Sequence, residues 1–163
     1  MKIIDDFLLK EEFNNIKEKI LSVYFPWYFN DGVVIKNDNY FQFTHIMYID
    51  DKPNSEFFNL METIISKLNI LTLIRIKVNL QTRTNKIIEQ GMHTDHDYTG
   101  YEKMKSAVFY LNTNNGYTKF SDKKIIHSKE NRIVIFNAKI KHTGSSCTDK
   151  KNRVVINLNY VEK

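Results

Sequence analysis

Two stretches in the first 70 residues repeat their apolar positions every three or four residues, as amphipathic helices do. The apolar residues of the first stretch are Leu9, Phe13, Ile16 and Ile20. Those of the second stretch are Phe57, Met61, Ile64 and Leu68. We therefore predict helices over residues 6–23 and 54–68, the second one starting near Pro53 and Ser55. Between them, residues 41–47 have the composition of a strand.

From residue 70 onward the pattern changes to an alternation of apolar and polar positions. Residues 73–80 alternate in the way that a half-buried strand does. Short β-rich runs follow at 106–111, 117–120, 124–127, 132–136 and 152–161, separated by clusters of Asn, Gly, Asp and Ser. Several short strands at close spacing favour a barrel or jelly roll. The prediction is one mainly β domain over residues 1–163, with a helical N-terminal part over 1–70 and a β core over 71–163.

The composition of the chain narrows the class of protein. Its 163 residues are 42% hydrophobic and 26% charged, which is ordinary for a globular domain. No apolar run approaches the roughly 18 residues of a membrane span, and Asp5 and Asp6 interrupt any signal peptide. The single cysteine, Cys147, excludes an internal disulfide. We expect a protein without a membrane partner in the cytoplasm of a cell or of an infected host.

The net charge of +5 raises the question of a nucleic-acid partner. Only four of the 24 basic residues are arginine, the side chain whose planar fork pairs best with phosphate. Most surface charge simply solvates a protein. The charge therefore gives only weak support to nucleic-acid binding.

His93 and Asp95 form the first pattern with metal-binding chemistry. In a strand, residues two apart project to the same face, so an imidazole and a carboxylate at this spacing can hold one metal ion. A strand over residues 87–92 would lead into the pair. Asp97 replaces Asp95 as the ligand if the strand bulges after Thr94, and a solvated loop is the alternative without a metal.

His142 supplies a third ligand from a different strand, 47 residues after Asp95. Two histidines and one carboxylate make a facial triad, which leaves coordination positions open on a non-haem iron. Zinc accepts the same side chains, although it prefers four ligands. The ligands alone therefore leave the metal open.

Arg153 lies 11 residues after His142, at the start of an apolar strand. Strand alternation places Arg153, Val155, Asn157 and Asn159 on one face. An arginine that faces inward needs an anionic partner, because an unpaired buried charge is unfavourable. The alternative is that Arg153 points to solvent from the first residue of its strand.

The order His93-x-Asp95, His142 and Arg153 resembles that of the Fe(II)- and 2-oxoglutarate-dependent dioxygenases. The resemblance covers residues 74–160 and is strongest to the prolyl-hydroxylase-like branch and to small oxygenases encoded by phages. It implies a double-stranded β-helix in which the first three residues bind Fe(II) and form the catalytic centre. It also implies an oxidoreductase that hydroxylates a substrate while converting 2-oxoglutarate to succinate, and it allows ascorbate as a further cofactor.

The same resemblance assigns three residues to the cosubstrate 2-oxoglutarate. Arg153 would pair with its distal carboxylate. Tyr110 would bond the same carboxylate, because residues 109–112 look like the aromatic-Tyr-Leu-Asn strand of the family; a plain core aromatic is the alternative. Asn157 stands where relatives often place a small hydroxyl residue on the cosubstrate.

Two departures from the family pattern weaken the expectation of a prolyl substrate. Gln81 stands nearest to where relatives carry a tyrosine in the preceding strand. Residues 116–120 replace a segment of the type Gly-Gly-x-x-x-Phe. The substrate stays open between a peptide, a small molecule and, less favoured, a nucleic acid, and the oligomeric state is open too. The alternatives are a non-catalytic β-helix module that binds a ligand or partner, and an oxygenase that modifies nucleic acids.

Several other polar residues lie near the predicted pocket in sequence. Proximity along the chain suggests that Asn79, Arg83 and residues 98–101 contact substrate, and His96 is a candidate for the pocket wall. His45 is predicted to be a surface residue or a hydrogen-bonded core residue. His127 is predicted to be exposed.

Overall fold

The computed structural model describes residues 1–35, 38–95 and 103–163, which are mostly antiparallel β-structure. Its strands are β1 (Lys2–Ile4), β2 (Tyr28–Asp31), β3 (Phe41–Ile49), β4 (Lys52–Pro53), β5 (Ile70–Thr82), β6 (Met104–Tyr110), β7 (Tyr117–Phe120), β8 (Ile125–His127), β9 (Arg132–Asn137), β10 (His142–Gly144) and β11 (Asn152–Glu162). Its helices are α1 (Lys10–Ile20), a 3₁₀ helix (Glu56–Met61) and α2 (Glu62–Ser66).

The strands form one large sheet and one small sheet. The large sheet has the order β1-β9-β6-β11-β5-β3-β2, with β4 paired to β3, and the small sheet has the order β10-β7-β8. All of these pairings are antiparallel. The segment after β5 pairs with the β10 region through two isolated bridges, Glu89 with Ser145 and His93 with His142.

Strand β11 is buried on both of its faces and separates two packed regions. One face carries Val154, Ile156, Leu158 and Tyr160, which belong to the main hydrophobic core. The helices cover this side of the large sheet: the buried face of α1 enters the same core, and the ring of Phe13 packs edge-on against Phe109 at 6.1 Å. The opposite face of β11 is therefore left for the space between the two sheets.

The predicted helices are present but shorter than expected. The helix predicted over residues 6–23 spans only α1, because Asp6 has a positive φ of 50° and the backbone N–H groups of Phe7 and Leu8 donate to Asn131. The backbone N–H of Leu9 donates to Glu12 Oε2 at 2.9 Å and fixes the first turn. The helix predicted over 54–68 divides into the 3₁₀ helix and α2, with Ser55 as its N-cap.

The description of residues 1–70 as a helical part is only partly correct. This part also contributes β1, β2, β3 and β4 to the large sheet. The mainly β prediction for the chain is confirmed, and the predicted strands after residue 70 correspond to β5, β6, β7, β8, β9 and β11. None of the helices in the described part of the chain has the length and hydropathy that a membrane span needs.

Candidate active site

Three predicted ligand residues, His93, Asp95 and His142, meet between the two sheets. One donor atom from each lies within 4.8 Å of the others. The rings of the two histidines are 4.8 Å apart between centroids, and His142 Nε2 is 3.8 Å from Asp95 Oδ1. The structure therefore brings the predicted triad together as a cluster able to surround one metal ion.

Backbone pairing delivers the two histidines side by side. The N–H of His93 donates to the carbonyl of His142 at 3.0 Å, and the N–H of His142 donates back to His93 at 2.9 Å. This reciprocal pair is one rung of an antiparallel ladder. The regular strand predicted over residues 87–92 is wrong, since only isolated bridges form there and Asp95 lies in a bend. Local extended backbone is enough to place Asp95 beside His93.

Each histidine has one ring nitrogen held by a backbone carbonyl. His93 Nδ1 is 3.0 Å from the carbonyl of Gly91, and His142 Nδ1 is 3.2 Å from that of Ile140. A carbonyl can only accept, so Nδ1 carries the proton and Nε2 is left as a lone-pair donor. This arrangement orients an imidazole for metal coordination through Nε2.

Asp95 is held by a polar network on the large sheet. Asn159 Nδ2 donates to Asp95 Oδ2 at 3.1 Å and also contacts Ser106 Oγ at 3.0 Å. Arg75 Nε donates to Asn159 Oδ1 at 3.1 Å, and an Arg75 terminal nitrogen lies 3.8 Å from Asp95 Oδ1. Only 4% of the Asp95 side chain is exposed, so these groups fix the orientation of its carboxylate.

The protonation states of the cluster favour metal binding. Burial acts to raise the pKa of Asp95, yet the pKa lies below its ordinary value because His142, Ser106, Arg75 and Asn159 all favour the carboxylate. Burial lowers the pKa of His142, against the attraction of Asp95. A carboxylate and neutral imidazoles are the forms that bind metal ions.

A cavity of about 190 Å³ extends from the triad between the sheets. Alternate residues of two strands line it. From β5 these are Arg75, Lys77, Asn79 and Gln81, and from β11 they are Arg153, Val155 and Asn157. The alternation predicted for β11 is therefore correct, and Arg153 and Asn157 both face the cavity.

Arg153 lies at the opposite end of the cavity from the triad and is only 4% exposed. Its Nε donates to Ser128 Oγ at 2.8 Å and its Nη2 to Thr118 Oγ1 at 3.2 Å. Burial lowers the pKa of the guanidinium. Within the described ranges it forms no ion pair with a carboxylate, so its charge is compensated only by neutral groups.

Tyr110 lies behind this arginine and does not line the cavity. Its hydroxyl donates to Thr118 Oγ1 at 2.8 Å, and the guanidinium of Arg153 lies 5.6 Å above its ring. Thr118 accepts from both groups and does line the cavity, so its own hydroxyl hydrogen is available to a ligand. Thr118 was not predicted; the alternation that places it on the same face as buried Phe120 is the signal for it.

Gly116 makes room for the stem of Arg153. A Cβ at this position would lie 2.7 Å from Arg153 Cδ and 2.7 Å from the carbonyl oxygen of Ser146. Real Cβ atoms do not approach other atoms so closely. Any larger residue at position 116 would force the stem of Arg153 and the Ser146 backbone apart at this point of the cavity wall.

Three buried amide oxygens on the cavity wall have no hydrogen-bond partner among the described residues. They are Asn79 Oδ1, Gln81 Oε1 and Asn157 Oδ1. Buried polar atoms are normally paired, so such a group in a cavity indicates a place for a ligand or ordered water. Asn79, which the sequence analysis suggests as a substrate contact, thus faces the cavity. Gln81, which stands nearest to the tyrosine position of relatives, faces it too.

The remaining sequence predictions have mixed outcomes. Arg83 is exposed and is not part of the cavity wall. His45 is a hydrogen-bonded core residue, with ring nitrogens 2.7 Å from the Pro26 carbonyl and 2.7 Å from Ser55 Oγ. His127 is exposed, as predicted. The suggestions for His96, Asp97 and residues 98–101 lie outside the described residues.

The chain is similar to solved structures, whereas the comparisons of its sequence found no match. No protein-family model matches the chain, and no curated protein matches it. A 2OG-Fe(II) oxygenase family oxidoreductase from Burkholderia pseudomallei has a TM-score of 0.69 at 13% identity, covering 98% of this chain and 84% of that one.

Two further solved structures share the fold. A prolyl hydroxylase from Trichoplax adhaerens, in complex with a peptide of the hypoxia inducible factor oxygen degradation domain, has a TM-score of 0.67 at 15% identity. It covers 99% of this chain and 83% of that one. A non-heme alpha ketoglutarate dependent epimerase from nogalamycin biosynthesis has a TM-score of 0.65 at 11% identity, covering 98% of this chain and 77% of that one. At these identities the likeness shows the fold.

Proposed function

We propose that this protein is an Fe(II)- and 2-oxoglutarate-dependent oxygenase that hydroxylates its substrate. The observation that carries the proposal is the pairing of two features in one cavity: a His-Asp-His cluster at one end, and the buried guanidinium of Arg153 without a carboxylate partner in the described ranges at the other. The names of the structures that share this fold support the same chemistry.

The donor set fits a non-haem iron. His93 and His142 offer Nε2 lone pairs, and Asp95 offers a carboxylate oxygen that its neighbours keep ionised. Two imidazoles and one carboxylate leave coordination positions for other ligands. Zinc would accept the same atoms, but a zinc site alone gives no reason for a buried arginine at the far end of the cavity.

The far end of the cavity fits a dicarboxylate. Arg153 would bind the distal carboxylate of 2-oxoglutarate, and the Thr118 hydroxyl would donate to the same group. Tyr110 would act through Thr118, since its hydroxyl donates there. Asn157 follows Val155 on the cavity face of β11. At this position its amide would contact the middle of the cosubstrate.

With both groups bound, the chemistry supplied is the decarboxylation of 2-oxoglutarate to succinate and carbon dioxide, with one oxygen atom of dioxygen entering succinate and the other the substrate. The chain's own part is to hold the ligands in one protonation state and to exclude water from the reacting atoms. The packing of Phe120 and Phe136 against the ring of His142 contributes to this exclusion.

An anaerobic titration tests the proposal. Addition of 2-oxoglutarate to Fe(II)-loaded protein is expected to produce a metal-to-ligand charge-transfer band, and admission of dioxygen is expected to yield succinate. A protein that binds both groups and forms no succinate would be a binding module. A protein that gives no band would contradict the cosubstrate assignment. Ascorbate dependence, a phage origin and a cytoplasmic location stay predictions.

The identity of the substrate is open between a peptide and a small molecule. The Trichoplax enzyme is bound to a peptide, while Gln81 in the cavity of this chain departs from the pattern of prolyl hydroxylases. A nucleic-acid substrate has no specific support, because the cationic side chains of the cavity lie inside it rather than on an open surface.

A further inference from the structure

Lys77 places a third cationic side chain in the cavity, in addition to Arg75 and Arg153. It lies on the cavity face of β5, and its register partner on β11 is Asn157. Its ammonium makes no hydrogen bond or ion pair with any residue in the ranges 1–35, 38–95 and 103–163. Burial is the main reason that its pKa falls to about 8, so it still carries its charge at neutral pH.

The other two cations of the cavity have partners in the protein or in the proposed cosubstrate. Arg75 faces Asp95 and donates to Asn159. Arg153 is the partner of the distal carboxylate of 2-oxoglutarate under the proposed function. Lys77 has neither role: Asp95 attracts it without forming an ion pair, and the like charge of Arg75 opposes it. A cation in a largely buried cavity gains from a further anion that contacts it directly.

The net charge of the site with Fe(II) and 2-oxoglutarate bound also favours a further anion. Among the described residues, the positive charges of the loaded site would be two on Fe(II) and one each on Arg75, Lys77 and Arg153. The negative charges would be one on Asp95 and two on 2-oxoglutarate, so within the described ranges the positive charges exceed the negative ones by two. A cavity with this surplus favours an anionic substrate over a neutral one.

We propose that Lys77 binds a carboxylate of the substrate, so that the enzyme acts on a small carboxylic acid. This inference rests on the proposed function, because it assigns Arg153 to the cosubstrate. Lys77 is four residues from Gln81, the register partner of Arg153, which separates their backbones by roughly 13 Å along β5. A substrate carboxylate on Lys77 would therefore lie near the metal end of the cavity, away from the distal carboxylate of the cosubstrate.

A neighbouring amide extends this binding surface. Asn79 follows Lys77 on the same face of β5. Its Oδ1 atom is buried without a partner among the described residues. Oxygen and nitrogen of an amide exchange places by a flip of the side chain, so Asn79 can present N–H donors to a carboxylate next to the ammonium.

A titration followed by NMR of ¹³C-labelled lysine side chains tests this inference directly. The protein is loaded with Zn(II) in place of Fe(II) and with 2-oxoglutarate, and acetate is added at constant ionic strength. The Cε signal of Lys77, assigned by its loss in Lys77→Met, is expected to shift saturably with acetate and to stay unchanged with acetamide, the neutral isostere. Lys139→Met, the same change at an exposed lysine outside the cavity, should keep the response.

Three outcomes would overturn the inference. The first is the absence of a saturable shift with acetate. The second is a saturable shift that appears only when 2-oxoglutarate is left out of the sample, because acetate would then occupy the cosubstrate position. The third is a stronger response to inorganic phosphate than to acetate, which would assign the site to a phosphate ester.

A second measurement separates Lys77 from the cosubstrate. The affinity of Fe(II)-loaded Lys77→Met for 2-oxoglutarate is expected to fall by less than about tenfold, because only a longer-range attraction to the dianion is lost. A loss as large as that in Arg153→Lys would show that Lys77 binds the cosubstrate instead. Failure of the proposed function would look different: the wild-type protein itself would bind no 2-oxoglutarate.

Discussion

The two ends of the cavity differ in how their polar groups are paired. At the metal end, each histidine has its Nδ1 held by a carbonyl, and Asp95 is held by Asn159 and Arg75. At the arginine end, Arg153 has only neutral partners among the residues that the structure describes. The cavity wall near it also carries an amide oxygen of Gln81 without a partner in the described part of the chain.

This difference separates a site that the protein completes from one that a ligand completes. Metal ligands must be oriented before the ion arrives, because their geometry determines which ion is held. A buried guanidinium compensated only by neutral groups gains most when an anion enters. Mutations at the metal end should therefore weaken binding of the metal ion. Mutations at the arginine end should weaken binding of an organic anion.

The largest expected effect is the loss of iron from triad variants. His93→Ala, Asp95→Ala and His142→Ala should each abolish Fe(II) binding and succinate formation, measured by anaerobic equilibrium dialysis and product analysis. His93→Ala should perturb folding least, because His93 is only half-buried. His127→Ala removes an exposed histidine and is the matched control. Stoichiometric iron in all three variants would contradict the triad.

Arg153→Lys should keep Fe(II) and lose most of the affinity for 2-oxoglutarate. An ammonium keeps the charge but cannot present the two parallel donors of a guanidinium. Arg153→Ala should cost about 2–5 kcal/mol in cosubstrate binding, because a carboxylate would be buried unpaired. Anaerobic titration of Fe(II)-loaded protein measures both, with Arg83→Lys as the exposed control. Equal affinities would separate Arg153 from the cosubstrate.

Gly116→Ala should weaken 2-oxoglutarate binding without touching the metal end. The added Cβ would lie 2.7 Å from both Arg153 Cδ and the Ser146 carbonyl oxygen, so the stem of Arg153 and the wall beside it must shift, and overpacking of this kind costs about 1–3 kcal/mol. Gly91→Ala is the matched control, since its nearest contact would be 3.6 Å from Val34. If both variants bind 2-oxoglutarate like the wild type, the position of the guanidinium does not matter for binding.

Tyr110→Phe should have the smallest effect, about 0.5–1.5 kcal/mol in 2-oxoglutarate affinity. Tyr110 does not line the cavity itself, and its hydroxyl interacts with Thr118 and with the Arg153 guanidinium, which do. Thr118→Val removes the hydroxyl that lines the cavity and should therefore weaken binding more. The reverse order of the two variants would indicate a direct contact between Tyr110 and the cosubstrate.

The residues at both ends of the cavity could be predicted because their spacing has a direct structural meaning. Strand alternation is enough to turn Arg153 and Asn157 to the same side. The pair His93 and Asp95 needs only extended backbone, and it is held together with His142 although no regular strand forms around it.

The residues that were not predicted lie where the structure depends on pairing between segments that are far apart in the sequence. The alternation of residues 73–80 predicts a half-buried strand, yet nothing in it shows that the polar side carries Arg75 and Lys77 into the cavity. Nothing local to β5 shows that the small sheet covers it. β1 is similar, since three residues form a strand only because β9 is there to pair with them.

The burial of β11 on both faces has a consequence for redesign. Substitutions on one face remove core packing, and those on the other change the cavity floor, so this strand offers few positions where a library could vary freely. Strand β5 also packs Ile76 and Val78 into the core, but on its cavity face Lys77 and Asn79 belong neither to the metal cluster nor to the proposed cosubstrate contacts. New substrate preferences should therefore be easier to select by diversifying these two positions, with β11 kept constant as the scaffold of the reaction.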